Sequence, residues 1–123
     1  MTSDIQITDT VDAILELSSD IRYVAVRLDG NLAMKQRDGL SDASASESDH
    51  YEEILVNPTL LTLAAARGNI DCGGLKFLVV GYGNFQQLVV PVPNGHASVC
   101  VPYGVECTSF VSAIYRLCCA AST

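Results

Sequence analysis

Residues 73–101 read GGLKFLVVGYGNFQQLVVPVPNGHASVCV, and three strand-like runs separated by turn residues stand out in them. Residues 74–82 place Leu75, Phe77 and Val79 on one face and Leu78, Val80 and Tyr82 on the other, the period-2 pattern of a strand. Gly83-Asn84 turns the chain, and Phe85 to Val92 returns as a second strand. Asn94-Gly95 is a favoured dipeptide for a two-residue hairpin, because both residues accept positive φ. His96 to Val101 follows as a third strand. Consecutive strands with tight connections make an antiparallel meander. These strands are apolar on both faces, so their sheet needs cover on both.

Upstream, IRYVAVRL (21–28) alternates Tyr23, Ala25 and Arg27 with Val24, Val26 and Leu28, again a strand. Asp29-Gly30 suits a type I′ turn. Asn31 to Arg37 then returns as an edge strand, guarded by Lys35 and Arg37. Three helices complete the pattern. Residues 9–19, capped by Asp9 or Thr10, carry Val11, Ile14, Leu15 and Leu17 at helical spacing. Residues 105–119 do the same with Phe110, Val111, Ile114, Leu117 and Cys118.

The middle region, 50–67, is expected in two pieces. Asp49 caps a first turn from His50 to Val56. Pro58 has no N–H and disfavours a helical residue before it, so Asn57-Pro58 reads as the N-cap and first residue of a fresh helix ending at Gly68. Leu60, Leu61, Leu63, Ala64 and Ala65 wrap most of that helix in apolar side chains. A helix apolar on several sides must be covered on several sides, and one sheet covers only one. Before it, DGLSDASASESD (38–49) holds four serines and four acids and reads as a solvated, acidic Ser-rich loop. A flexible connection is its plain reading, with a phosphorylation role as the sharper alternative.

The element order is therefore α-β-β-α-β-β-β-α. The expected fold class is α/β in the broad sense, more narrowly α+β: a five-stranded antiparallel sheet between one central helix and two terminal helices. The 123 residues suit a single domain over 1–123 with a core at about 9–119.

Composition bounds the function. Only 17% of residues are charged, below the usual quarter, which leaves little to cover a monomer's surface and hints at an oligomer. The net charge is −7 and the seven basic residues are scattered from Arg22 to Arg116, which excludes the basic patch of a nucleic-acid binder and disfavours an anionic membrane. No run approaches the ~18 apolar residues of a membrane span. Met1 to Asp12 lacks the features of a signal peptide, so a cytoplasmic location is expected. The five cysteines, Cys72, Cys100, Cys107, Cys118 and Cys119, have no C-x-x-C spacing. They read as free thiols in a reducing compartment, with no metal or disulfide framework.

Chemistry is sparse. His50 beside the polar loop and His96 after a hairpin turn are both expected at the surface. Cys100 shares a strand face with His96, but no third group orients such a pair. Gly81-Tyr82-Gly83 lacks the P-loop pattern and precedes a strand, so it reads as a turn. Asp42, Glu47, Asp49, Glu52 and Glu53 form an acidic cluster without the spacing of a calcium loop. NIDCGG (69–74), with Asp71 and Cys72, reads as a tight connection, with a ligand site as the alternative. No catalytic set, metal or cofactor is expected.

The passages YVAVRLDGNLAMKQRDGL (23–40) and GGLKFLVVGYGNFQQLVVPVPNGHASVCV (73–101), with the element order over about 9–119, resemble the roadblock/dynein light-chain family of profilin-like domains. Two features depart from that pattern: the acidic Ser-rich loop is longer, and Asn57-Pro58 interrupts a central helix that is usually continuous. The resemblance implies a homodimer formed through the central helix and the strand after it. The matching residues are Leu60, Leu61 and Ala64 in the helix and Leu75, Phe77 and Val79 in the strand. A specific dimer buries on the order of 1,600 Å² in total. The resemblance further implies a non-catalytic interaction module, a regulator or scaffold for a small Ras-like GTPase or a larger regulatory complex. The alternative is a small-molecule-binding sensor, with a pocket between sheet and helix.

Overall fold

A computed structural model describes residues 4–121. The first helix, α1 (Asp4–Leu15), leads to the hairpin β1 (Tyr23–Leu28) and β2 (Asn31–Gln36). A helical stretch follows: α2 (Ser46–Tyr51), a π-helical segment (Glu52–Val56) and α3 (Asn57–Asp71). The meander is β3 (Leu78–Gly81), β4 (Gln86–Val92) and β5 (Gly95–Val101), and a 3-10 turn (Cys107–Phe110) leads into α4 (Val111–Ala121). The five strands form one antiparallel sheet in the order β2-β1-β5-β4-β3. The fold class is thus α+β as expected, with β2 and β3 at the edges.

Alternation along the strands sorts the side chains into two layers. Val24, Val26 and Leu28 of β1, Ala97, Val99 and Val101 of β5, and Leu88 and Val90 of β4 share one face and form the main core with Ile7, Val11 and Ile14 of α1 and Ile114 and Cys118 of α4. Each fully buried Val, Leu or Ile contributes about 1.5–3 kcal/mol of transfer free energy. The opposite face carries Tyr23, Ala25 and Cys100, with Gln87, His96 and Ser98 on the same side by register.

The Asp29-Gly30 turn has positive φ at both residues, +53° and +83°, as expected. The second hairpin differs from expectation by one residue. Val92 pairs with Gly95, so Pro93-Asn94 is the loop, with Asn94 at φ +71°. Gly95 is needed for another reason: a Cβ there would collide with the Arg27 carbonyl of the neighbouring strand.

β3 is shorter than expected, and Leu75 and Phe77 precede it. Continuing its register from Leu78↔Val89 would set Lys76 opposite Pro91, which has no N–H to give a ladder. Arg37 lies just past β2 and does more than guard an edge. It donates from Nε to the Ile21 carbonyl at 2.9 Å and from Nη2 to those of Leu15 at 2.8 Å and Ser18 at 3.1 Å, satisfying the orphan end of α1.

The central helix corrects two expectations. Asn57-Pro58 does not break it: Val56 and Asn57 are both right-handed helical, at φ −67° and −63°. Pro58 leaves one carbonyl without a donor, and the chain absorbs this by widening into a π turn, in which the Asn57 N–H reaches the Glu52 carbonyl. Thr59 Oγ1 donates to the Leu55 carbonyl at 2.7 Å. The helix also runs past Gly68 to Asp71, because Gly68 is an internal residue on which the returning chain rests. Gly74 N–H donates to its carbonyl at 3.1 Å, and a Cβ at Gly68 would strike the Gly74 carbonyl. Among the described residues no helix is long and apolar enough to cross a membrane.

Candidate functional site

Where the helical stretch meets the sheet, Glu53 is completely buried. Its carboxylate takes four hydrogen bonds. Tyr23 Oη and Ser98 Oγ donate to Oε2 at 2.8 and 2.7 Å. His96 Nε2 and Asn57 Nδ2 bond Oε1 at 2.8 and 3.0 Å. β1, β5 and α3 thus converge on one side chain of the π segment. The π turn brings Glu53 and Asn57 to the same side of the rod, over the sheet. Ala25, directly beside Ser98 in register, leaves room for it.

Burial pushes the Glu53 carboxyl up, but the hydrogen bonds from His96 and Ser98, the His96 charge and the Tyr23 hydroxyl together hold it below its ordinary 4.5. Burial and the Glu53 charge push the Tyr23 phenol far upward. The network therefore holds an ionised carboxylate fixed by donors, the condition under which a buried charge is tolerated.

His96 is 3% exposed, which corrects the expectation of a surface histidine. A polar pair at alternate positions of an otherwise apolar strand, His96 and Ser98, was the signal for a buried partner. Although Ser, His and Glu meet here, the geometry differs from a catalytic triad. Ser98 donates to Glu53 rather than to His96, so the imidazole is not placed to activate the hydroxyl, and the group is buried beneath the helix. Its chemistry is that of a clasp. Among the described residues no cluster of three or more His, Cys, Asp or Glu is placed to hold a metal ion.

Above the clasp, α3 keeps much of its apolar surface in the open. Leu63 is 66% and Ile70 75% exposed, and Leu55 of the π segment is half exposed. Leu60, Leu61 and Ala64 are half-buried on the flanks. At the sheet edge, β3 pairs with β4 alone, and its outer backbone rim is unoccupied among the described residues. Phe77 and Val79 remain about 40% exposed, at 38% and 42%.

The structure brings Leu60, Leu61 and Ala64 together on one helix but sets the strand residues apart from them. Val79 opposes Leu88, which belongs to the α1–α4 face, and Leu75 lines a cleft against α4 with Val111 and Tyr115. The strand residues that share the helix's side of the sheet are Leu78 and Val80. Tyr82, just past β3, ties the two elements together by donating its hydroxyl to Glu52 Oε1 at 2.7 Å.

Leu55, Leu63 and Ile70 were not among the expected pairing residues, although Leu63 was one of the apolar side chains expected to need cover. The four-residue and three-residue steps from Leu55 through Thr59, Leu63 and Ala66 to Ile70 mark that stripe. Cys100 and Cys118 are buried, Cys72 is exposed, and burial pushes the Cys118 thiol up to about 12.

No protein-family model matches the sequence, and no curated protein does. Solved structures do match the shape. The chain is similar to a Roadblock/LC7 domain from Streptomyces avermitilis, with a TM-score of 0.66 at 13% identity over 99% of this chain and 96% of that one. It is similar to an MglB described in a tetrameric arrangement, with a TM-score of 0.67 at 9% identity over 95% and 90%. The gliding protein MglB of Thermus thermophilus gives 0.66 at 10% identity over 95% and 88%. Strand and helix order and near-complete coverage on both sides agree: the chain has the roadblock/LC7-type fold.

Proposed function

We propose that the chain is a non-catalytic interaction module that pairs with a second copy of itself and presents the paired surface to a protein partner. That partner is a small Ras-like GTPase or a larger regulatory assembly. The observation that carries the reading is the open stripe Leu55, Leu63 and Ile70 together with the unoccupied rim of β3. Apolar helix surface and an unpaired strand edge are both unfavourable in water, and a second copy relieves both at once by extending the sheet and laying helix against helix. A standard interface takes about 800 Å² from each copy, about an eighth of the chain's 6687 Å². Leu60, Leu61, Ala64, Phe77 and Val79 would lie at or beside that seam, with Leu75 at its end.

The Glu53 clasp supports this role by fixing the helix against β1 and β5, so that the stripe is presented in one orientation. The GTPase assignment rests on the family resemblance, by analogy of fold. The immobilised chain is incubated with lysate in the presence of a non-hydrolysable GTP analogue or of GDP. The expected result is enrichment of a Ras-like GTPase in one nucleotide state. A Leu63→Glu, Ile70→Glu variant should lose it while remaining folded, since both positions are exposed. If no GTPase is enriched in either state, that part of the proposal fails.

A further inference from the structure

Beside the Glu53 clasp, but outside its sealed network, a cleft of about 270 Å³ opens between the helical stretch and the end of the sheet. Its functional lining is Asp49, Tyr51 and Glu52 from the helical side and Tyr82, Phe85 and Gln87 from the sheet. The size suits one side-chain-sized group, being below the range of drug-sized pockets.

The chemistry of the walls specifies the occupant. Asp49 accepts from Ser44 Oγ at 2.6 Å and from Gln36 Nε2 at 3.0 Å. Glu52 Oε1 accepts from Tyr82 at 2.7 Å, while Oε2 has no donor among the described residues. Gln87 is 3% exposed, and its Oε1 is sealed without any hydrogen bond. An unsatisfied buried amide oxygen costs about 1–3 kcal/mol. The amide turns readily about its terminal bond, so it can offer oxygen to whichever side supplies a donor. The surplus in this cleft is of acceptors. The aromatic walls agree: Phe85 already has the Arg22 guanidinium 5.7 Å from its ring centroid, and Arg22 is held there by its bond to the Ser41 carbonyl at 2.7 Å. Two carboxylates line the cleft, and the Arg22 guanidinium lies outside its lining. Burial pushes both the Asp49 and Glu52 carboxyls up, a charge cost that an incoming cation would relieve.

We propose that this cleft binds a small organic cation of the alkylguanidinium or alkylammonium class, its head donating to Glu52 and the Gln87 amide and its stem lying along Tyr82 and Phe85. Ring faces and carboxylates together favour a cation over a neutral group of the same shape. The site is separate from the pairing surface and does not rest on the proposed function.

The test is a nuclear magnetic resonance titration of the natural chain with butylguanidinium and with butylurea, its neutral planar counterpart. Butylguanidinium should give saturable shifts at the amides of Tyr51, Glu52, Tyr82 and Gln87. Butylurea should bind at least about tenfold more weakly. Glu52→Gln and Gln87→Leu should each weaken the cation by about fivefold or more. Gln87→Leu removes an unsatisfied group, so this variant folds and keeps the test decisive if Glu52→Gln does not. A capped arginine amide, run alongside, shows whether the head binds better free or on a peptide, and saturable binding of either supports the site. Equal binding of butylurea, or absence of saturable shifts at those four amides, overturns it, as does unchanged affinity in the folded variants.

Discussion

Replacing Glu53 by Ala removes the one acceptor on which Tyr23, Asn57, His96 and Ser98 converge. It leaves four donors in a dry pocket. A buried donor left without its acceptor costs about 1–3 kcal/mol, so the four together should cost on the order of 3–5 kcal/mol, from a total stability on the order of 5–15 kcal/mol. For a domain of this size each 1 kcal/mol moves the melting temperature by roughly 3–5 °C. Glu53→Ala should therefore melt on the order of 10–20 °C lower and lose a large part of its urea midpoint.

Glu53→Gln is gentler. One amide oxygen can still accept, and the hydroxyls and imidazole can reorient, so we expect about half the loss. The pH profile separates charge from shape. Glu53 is held below its ordinary 4.5 in the folded chain, so its stabilisation is complete above that value. It is lost as pH falls through the lower, folded value. Asp49 and Glu52 are raised and act in the opposite sense: their contribution is full below the ordinary carboxyl range and is lost as pH rises through their folded values. Urea unfolding followed by circular dichroism from pH 7 to pH 3 should show the natural chain weakening below about 4.5. Glu53→Gln should lack that decline. A Glu53→Ala cost under about 1 kcal/mol, or an acid profile unaltered by Glu53→Gln, would refute the clasp.

Two other substitutions test the frame around it. Arg37→Ala removes three hydrogen bonds to backbone carbonyls at the end of α1 and should cost about 1–3 kcal/mol by denaturant unfolding, more than an exposed edge lysine would. Gly68→Ala, a change that stabilises most helices by about 1 kcal/mol, should instead destabilise by about 1–3 kcal/mol, because its Cβ meets the Gly74 carbonyl. A stabilised Gly68→Ala protein would mean that the chain after α3 runs elsewhere.

The layers were legible because they are written locally. Val24, Val26 and Leu28 alternate with Tyr23, Ala25 and Arg27, Asp29-Gly30 fits its turn, and α1 and α4 carry their apolar side chains at helical spacing. What escaped the sequence was set by distant partners. His96 looks exposed until a carboxylate 43 positions away along the chain closes over it. Asn57-Pro58 carries a strong local signal for a break, yet Asn57 bonds the buried Glu53 four positions before it, and a π turn accommodates the missing N–H. Gly95 was credited to a turn and proved to serve close approach to Arg27. For the pairing surface, Leu60, Leu61 and Ala64 came from the family resemblance together with the helix's apolarity. Exposure, which depends on where the sheet lies, singles out Leu63 and Ile70 as well, and the register places Phe77 and Val79 on the sheet's other side.

The central claim is that one copy leaves more apolar helix and open strand edge than it can cover. Light scattering on the eluting peak of a size-exclusion column, at several loading concentrations, tests it most directly. We expect a mass of at least twice the chain's 13.1 kDa, falling to one chain in the Leu63→Glu, Ile70→Glu variant. A natural chain that elutes at 13.1 kDa at every concentration would contradict it.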